Sequence, residues 1–529
     1  MSEYNLLTEP WIKVLTRNNE TKQMGIREVF ENAHDIVTIA GENRLQDFAI
    51  LGIFIAANIS MIYGEDNNTT EGLYSKWGNL WKNGKFNKDT LDKYFDKWSD
   101  RFYLFDDKFP FYQIPDVHTD TVEDKESGPW KMRLVIKDVI NPKEHKPHQI
   151  PWQSAKGING NILESDNTPS TLSTKVGLEK ESMSLDETAR WLVYNQIYGA
   201  NSFKPNPGLS FCGHGVCVYA TGHNNLFETI MLNSILVDEN DNPYSQVLPI
   251  WEKNEVDISM HINENPIVMP TDLPAQLTLQ TRRIIMRKSD DNRVYGWWVY
   301  SGDYINKEIL SANIFPFHIA GKGNKTTPNP VVGAKGFGDA AWNNFERIFA
   351  SNARISRWIS NLSDKYIDED RNIPFLANAV LYGSSNSCVE AVITDKITVP
   401  AKLFQDTKLI NDISIEIEKI NDVKRDIGSF NRDISKATGA IDGACCEKNF
   451  IGRIVPEIYA TINSAHTPSE LREITKQTAL DVIDKTKNNL SVTALVTNIE
   501  IKTKGKSESM PLAKYVSMKR AFIKKKLEK

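Results

Sequence analysis

Cys212 and Cys217 are separated by four residues, with His214 between them. Cysteine and histidine at close spacing are zinc-ligand types, but a closed site needs a further ligand pair. The adjacent Cys445-Cys446 is badly placed to supply one, so buried structural cysteines are the better reading. Gly333-Ala334-Lys335-Gly336-Phe337-Gly338 precedes a predicted helix starting near Asp339. Glycines ahead of a helix can present N–H groups to phosphate. The dinucleotide version wants a preceding strand in a βαβ unit and an acidic residue about 20 positions on. That context is weak, and a loop touching a nucleic-acid backbone through Lys335 is the stronger reading. Gly321-Lys322-Gly323-Asn324-Lys325-Thr326 resembles a phosphate loop only superficially, because the Gly-Lys-Thr ending is missing. Arg282, Arg283, Arg287 and Lys288 lie on or beside a predicted strand, where they either hold phosphates or form a solvated sheet face.

Other chemistry is poorly represented. There is no G-x-S-x-G, no H-E-x-x-H and no histidine–aspartate nuclease pair, and the 9 histidines are scattered. Asp106-Asp107 sits among aromatic residues and reads as a packed turn. These absences point away from an enzyme, a metal or a cofactor. The net charge of −5 is unlike that of an autonomous nucleic-acid binder, so local charge or partner subunits must supply any electrostatic attraction. The last sixteen residues are locally basic, with Lys514, Lys519, Arg520, Lys524, Lys525, Lys526 and Lys529 against Glu528.

With 529 residues the chain calls for two or more domains. Apolar residues at 40% and charged residues at 25% are ordinary for a soluble globular protein. The opening MSEYNLLTEP is polar and acidic, unlike a secretory signal, and 5 cysteines provide no disulfide framework. A cytoplasmic setting is expected. The uncharged run Phe48 to Tyr63 is short for a membrane span and carries Asn58 and Ser60, so a buried core helix is expected there.

The first 399 residues read as mixed α/β. Leu45 to Tyr63 predicts a helix, and Ser184 with Glu187 forms a capping-box pattern ahead of another, Arg190 to Tyr198. Gly215 to Thr221, Leu277 to Met286 and Val294 to Tyr300 have strand composition. Between Asp116 and Ser182 lies a long polar stretch, the kind of loop that is functional or disordered. From 400 to 529 the pattern changes to a helical bundle. Ile410, Ile413, Ile417, Ile420, Val423, Ile427, Phe430 and Ile434 recur at three and four. Thr467-Pro468-Ser469-Glu470 announces another helix, and one more runs from Leu512. The expected class is α+β, with a mixed domain 1–399 and a bundle 400–529.

Tyr4-Asn5-Leu6-Leu7-Thr8-Glu9-Pro10-Trp11-Ile12-Lys13-Val14 resembles the opening of the CasA family, the large subunit of type I-E CRISPR Cascade. The similarity continues, in family order, through Ile26 to Phe30, Asp100 to Phe105, Pro110 to Pro115, Leu226 to Thr229, Leu248 to Glu252 and Leu277 to Ile285.

This resemblance implies a subunit without catalytic activity that holds the 5′ handle of a guide RNA among other Cascade subunits. It also implies probing of duplex DNA for a short PAM, help in opening the duplex into an R-loop, and recruitment of a separate helicase–nuclease. The division of labour leaves target sequence to base pairing. Minor-groove reading is degenerate, so tolerance of several PAMs follows. The family's glycine-rich loop maps onto Asn201, Ser202, Phe203 and Lys204, which here are not glycines. Its wedge maps onto Ser385, Asn386, Ser387, Cys388 and Val389, without the expected glutamine. The guide-handle loop falls at Ser165, Asp166, Asn167 and Thr168, and the PAM-sensing lysine at Lys307, Lys322, Lys325 or Lys335. Two alternatives stand beside it: a nucleotide-binding enzyme using Gly333 to Gly338, and a pure protein scaffold. The basic tail is expected to hold a displaced strand through phosphate contacts.

Overall fold

The structure is a computed structural model that describes residues 3–122, 133–140, 147–162, 175–199, 212, 215–223, 225–258, 270–303, 315–319, 321, 332–337, 340–350, 353–382, 389–439, 445–503 and 506–528. The chain divides into two compact units. The first comprises Met1–Asp339, Ser351–Glu369 and Ile373–Thr398, and the second Ala340–Ala350, Asp370–Asn372 and Val399–Lys529.

The first unit is built around the helix Arg44–Tyr63. Asn43 caps it by accepting from the Gln46 N–H at 2.9 Å. Every residue from Leu45 to Ile62 is buried, so the helix is apolar all round rather than on one stripe. By length and composition it could cross a membrane, yet its apolar window is wholly enclosed by the fold. Helices Leu185–Tyr198, Leu226–Asn233 and Leu273–Leu277 pack against it. Among its polar interior residues, Asn58 is satisfied locally and donates to Ser234 Oγ at 2.8 Å.

Helix Leu185–Tyr198 starts after Ser184, but the expected capping box does not form. The Ser184 hydroxyl turns to Asp186, and Glu187 instead accepts from Asn159 at 2.8 Å and pairs with Lys175. A buried polar demand elsewhere has taken the capping carboxylate. The segment expected as one strand from Leu277 to Met286 also divides. Leu277 ends a helix capped by Asp272, and the strand runs only over Arg282–Met286. Asp106 makes the expected turn, its Oδ1 accepting from the N–H groups of Lys108 at 2.8 Å and Phe109 at 2.7 Å.

Three of the sheets anchor the N-terminal segment or position the candidate site. One has Ile12–Thr16 between Thr21–Met24 and Ile36–Ile39. In the second, Gly296–Ser301 lies between Arg282–Met286 and Trp152–Ser154. The third has Asn372–Tyr382 between Cys217–Ala220 and Val389–Pro400.

The second unit is mainly helical: Thr407–Thr438, Cys445–Ile462, Pro468–Asn488 and Leu512–Leu527 pack on one another. All eight residues of the predicted stripe from Ile410 to Ile434 are buried. Thr467 and Glu470 form the complete reciprocal capping box, and Gly439 ends the longest helix at φ 68°. Sequence periodicity did not reveal the hairpin Asn498–Thr503 with Lys506–Pro511, which leads into the last helix. That helix spends part of its basic charge internally. Arg520 pairs with Asp484 at 2.9 Å and Lys526 with Asp426 at 2.8 Å, whereas Lys525 is exposed.

Candidate nucleic-acid interface

The short strand Cys217–Ala220 organises the region where the sequence places its DNA-contacting residues. On one side it pairs antiparallel with Asn372–Tyr382, Cys217 opposite Asn378 and Ala220 opposite Phe375. Its beginning therefore lies toward Tyr382. On the other side Phe317–Ile319 also runs antiparallel to it. The Val218 N–H donates to Phe317 O at 2.7 Å, and Cys217 forms a bridge with His318. Val216 donates to Val332 O at 2.9 Å, and Val332 donates to Ile319 O at 2.9 Å. Tyr198, at the end of its helix, is buried against Cys212 and Cys217.

Antiparallel neighbours leave a strand at the end where it begins. Consequently the described residues that flank stretches 200–211, 322–331 and 383–388 converge on one end of this sheet: Tyr198 with Cys212, Ile319 with Val332, and Tyr382 with Val389. These stretches contain Asn201, Ser202, Phe203 and Lys204; Lys322 and Lys325; and Ser385, Asn386, Ser387 and Cys388. Those residues lie outside the described ones, as do Lys307 and the guide-handle candidates Ser165, Asp166, Asn167 and Thr168. Val389 opens the strand Val389–Pro400. Lys335 is exposed, on a one-turn helix, Ala334–Phe337, just beyond Val332.

That helix weakens the nucleotide-loop alternative. Gly333 O accepts from the N–H groups of Gly336 at 2.9 Å and Phe337 at 3.0 Å. Those donors close a turn and are not offered to a phosphate. The preceding Val332 is bonded to Ile319 and Val216, an arrangement without the βαβ connection a dinucleotide site requires.

The basic group at Arg282 to Lys288 divides: Arg282 and Arg283 are neither a phosphate grip nor a solvated face, whereas Arg287 and Lys288 are partly exposed and ion-paired. Arg282 and Arg283 are buried. Arg282 donates to Gly199 O at 3.0 Å and to Thr281 O at 3.1 Å. Arg283 donates to Asp303 and Asp257, each at 2.8 Å, and to Gln280 O at 2.7 Å. Arg287 makes a two-pronged contact with Asp116 at 2.7 and 2.9 Å, and Lys288 pairs with Glu3. Their carboxylate partners are up to 285 residues away in sequence, which is why local reading missed them.

Cys212 and Cys217 are free and buried, as expected. Burial pushes the Cys212 thiol well up. Burial opposes ionisation at Cys217 too, but the neighbouring Cys212 and His318 outweigh it and bring that thiol down. Among the described residues no group of three or more histidine, cysteine, aspartate or glutamate side chains is arranged to hold a metal ion.

The comparisons with known proteins agree with this architecture. The family model of CRISPR-associated protein Cse1 matches residues 5–496. A CRISPR-associated protein CasA/Cse1 from Thermus thermophilus is 25% identical over 263 residues, which is 48% of this chain and 42% of that protein. The alignment thus spans less than half the length of that relative. Cse1 from Thermobifida fusca shares the fold with a TM-score of 0.76 at 18% identity, covering 99% of this chain and 98% of the other. A chain of a CRISPR RNA-guided surveillance complex shares it with a TM-score of 0.69 at 14% identity, covering 99% and 100%. With the family pattern running over nearly the whole length and the fold shared end to end, this chain belongs to the CRISPR-associated Cse1 family.

Proposed function

We propose that this chain is the large subunit of a type I-E, RNA-guided Cascade surveillance complex, acting in the cytoplasm without a catalytic site or cofactor of its own. In this reading the mixed part, 1–399, reads duplex DNA and the guide handle, and the bundle, 400–529, packs among the other Cascade subunits. Asn201, Ser202, Phe203 and Lys204 meet the PAM duplex. Ser385, Asn386, Ser387, Cys388 and Val389 form the wedge beneath it. Val389 parts a base step, as apolar side chains do in minor-groove binders. Lys335, with Lys322, Lys325 or Lys307, holds phosphate. Ser165, Asp166, Asn167 and Thr168 contact the 5′ handle of the guide RNA, and a separate helicase–nuclease docks once the R-loop has formed.

The observation that carries this proposal is the convergence, at one end of one sheet, of the chain flanking two stretches that resemblance assigned to DNA contact and a third that holds two of its candidate lysines. Family membership supports it, as does the fold shared with a chain of an RNA-guided surveillance complex. The sequestered arginines support it by exclusion, because the strand's own basic charge is spent inside the fold and DNA contact falls to loop positions.

The test uses the complex reconstituted with its guide RNA and a labelled target duplex. Lys204→Ala, Asn386→Ala and Val389→Ala should each weaken the electrophoretic shift while leaving assembly intact. Loss of one phosphate contact in Lys204→Ala should also lower the slope of log affinity against log salt by about 1. Unchanged affinity in all three, with assembly complete, would overturn the site assignment.

A further inference from the structure

Helix Leu185–Tyr198 ends at Gly199, and the chain beyond it carries Asn201, Ser202, Phe203 and Lys204. The last carbonyls of a helix have no partners within the helix. Here the approach to the strand Arg282–Met286 supplies two. The Thr281 hydroxyl donates to Gln196 O at 2.6 Å, and the Arg282 guanidinium donates to Gly199 O at 3.0 Å. The two segments are tied in both directions. Gln196 Oε1 accepts from the Arg282 N–H and Gln196 Nε2 donates to Arg282 O, each at 2.9 Å. Gln196, Thr281 and Arg282 are all buried, so the joint is shielded from water.

Gly199 is the pliable element of that joint. Its φ of −48° and ψ of 127° have already left the helix. A glycine has the widest choice of backbone angles, and no side chain of its own narrows them. Rotation about ψ swings the carbonyl oxygen together with everything beyond it. Holding that oxygen therefore holds the direction in which the chain departs. A residue with a side chain cannot supply the restraint itself, because a Cβ on Gly199 would come within 2.4 Å of Asn195 O. The lever is long: Lys204 lies five residues on, a reach of at most about 18 Å. A buried guanidinium forgoes its hydration, so Arg282 is a costly residue for mere capping. Its planar fork lets one side chain hold both Gly199 O and, at 3.1 Å, Thr281 O.

We propose that Arg282 is a positioning residue for the stretch that meets duplex DNA, acting through Gly199 O and not through its own charge. The contact of Lys204 with phosphate rests on the function proposed above; the restraint on Gly199 does not. Neutralising Arg282 frees the exit direction, and the stretch from Asn201 to Lys204 then loses its register on the duplex.

The experiment uses the complex assembled with its guide RNA and carrying Arg282→Met, Lys204→Ala or both. Hydrogen exchange read by peptide mass should quicken across 200–211 in Arg282→Met, while the core helix Arg44–Tyr63 keeps its protection. Unchanged exchange across 200–211 would overturn the proposal whatever the DNA result. The slope of log affinity against log salt is then measured with a labelled target duplex. Each single variant should lower it by about 1, and the double variant also by about 1, because both remove the same phosphate contact. A double variant that loses about 2 would reveal two independent contacts, and an Arg282→Met slope equal to that of the wild type would reveal none. Either result overturns the route through the stretch. An unchanged slope in Lys204→Ala would remove the phosphate contact assigned above, and the exchange result would still decide the restraint. If Arg282→Met fails to assemble, Gly199→Ala is read in the same way, since it disturbs the same exit and leaves the strand intact.

Discussion

Replacing Arg283 with methionine keeps the length of the side chain but removes its charge. In the native fold the guanidinium is buried, with Asp303 on one side at 2.8 Å and Asp257 also at 2.8 Å. The two acids are not equivalent. The Asp303 side chain is only 9% exposed, and that of Asp257 is 48% exposed. An ion pair with a half-exposed partner is screened and contributes about 0–1 kcal/mol. The Asp303 arm dominates, because its carboxylate would be left buried without a counter-charge, at a cost of about 3–5 kcal/mol. Arg283→Met should therefore lower the urea midpoint strongly. Tryptophan fluorescence can follow it, since Trp297 and Trp298 lie on the adjacent strand. Adding Asp303→Asn should recover part of the loss by removing the stranded charge. Target-duplex affinity per folded complex should stay the same. Unchanged stability with lost DNA binding would refute the reasoning, because it would mean that the guanidinium faces a ligand and not Asp303.

Two further outcomes test the packing and the electrostatics. Ile427 is fully buried in the Thr407–Thr438 helix and Ile415 on the same helix is 49% exposed. Ile427→Ala should cost about 2–5 kcal/mol, whereas Ile415→Ala should stay within about 0.5 kcal/mol. Equal effects on the urea midpoint would contradict the assigned face. Burial pushes Asp47 from 3.8 up to about 6, so the native state holds that proton more tightly than the unfolded chain. Its contribution to stability should thus grow as pH falls from about 6 toward 3.8, by up to about 1.4 kcal/mol per pH unit. Asp47→Asn should flatten the pH dependence of the midpoint in that window, and an unaltered slope would show that another group is responsible.

Much of the architecture was legible because it depends on near neighbours. The three-and-four spacing from Ile410 to Ile434, the Thr467 capping box and the uncharged run in Arg44–Tyr63 each involve residues within a turn or two. Local reading failed at Glu187 because more distant partners intervened, the carboxylate leaving its expected cap for Asn159 and Lys175. At Leu277 a local signal outweighed strand composition, because Asp272 caps a short helix that ends there.

The sequence by itself determined the family resemblance, the core helix, the helical stripe of the bundle and the identity of the stretches proposed to meet DNA. Periodicity, capping and ordered short motifs all survive in one dimension. Only the tertiary structure decided which charges are free. Arg282 and Arg283 look like phosphate ligands in the chain, but a charge buried in a low-dielectric interior must find partners, and theirs come from other segments. It likewise brought His318 beside Cys217 and gathered the flanks of three separate stretches at one sheet end. Antiparallel pairing acts between segments far apart in sequence, and no local pattern records which segments will be neighbours.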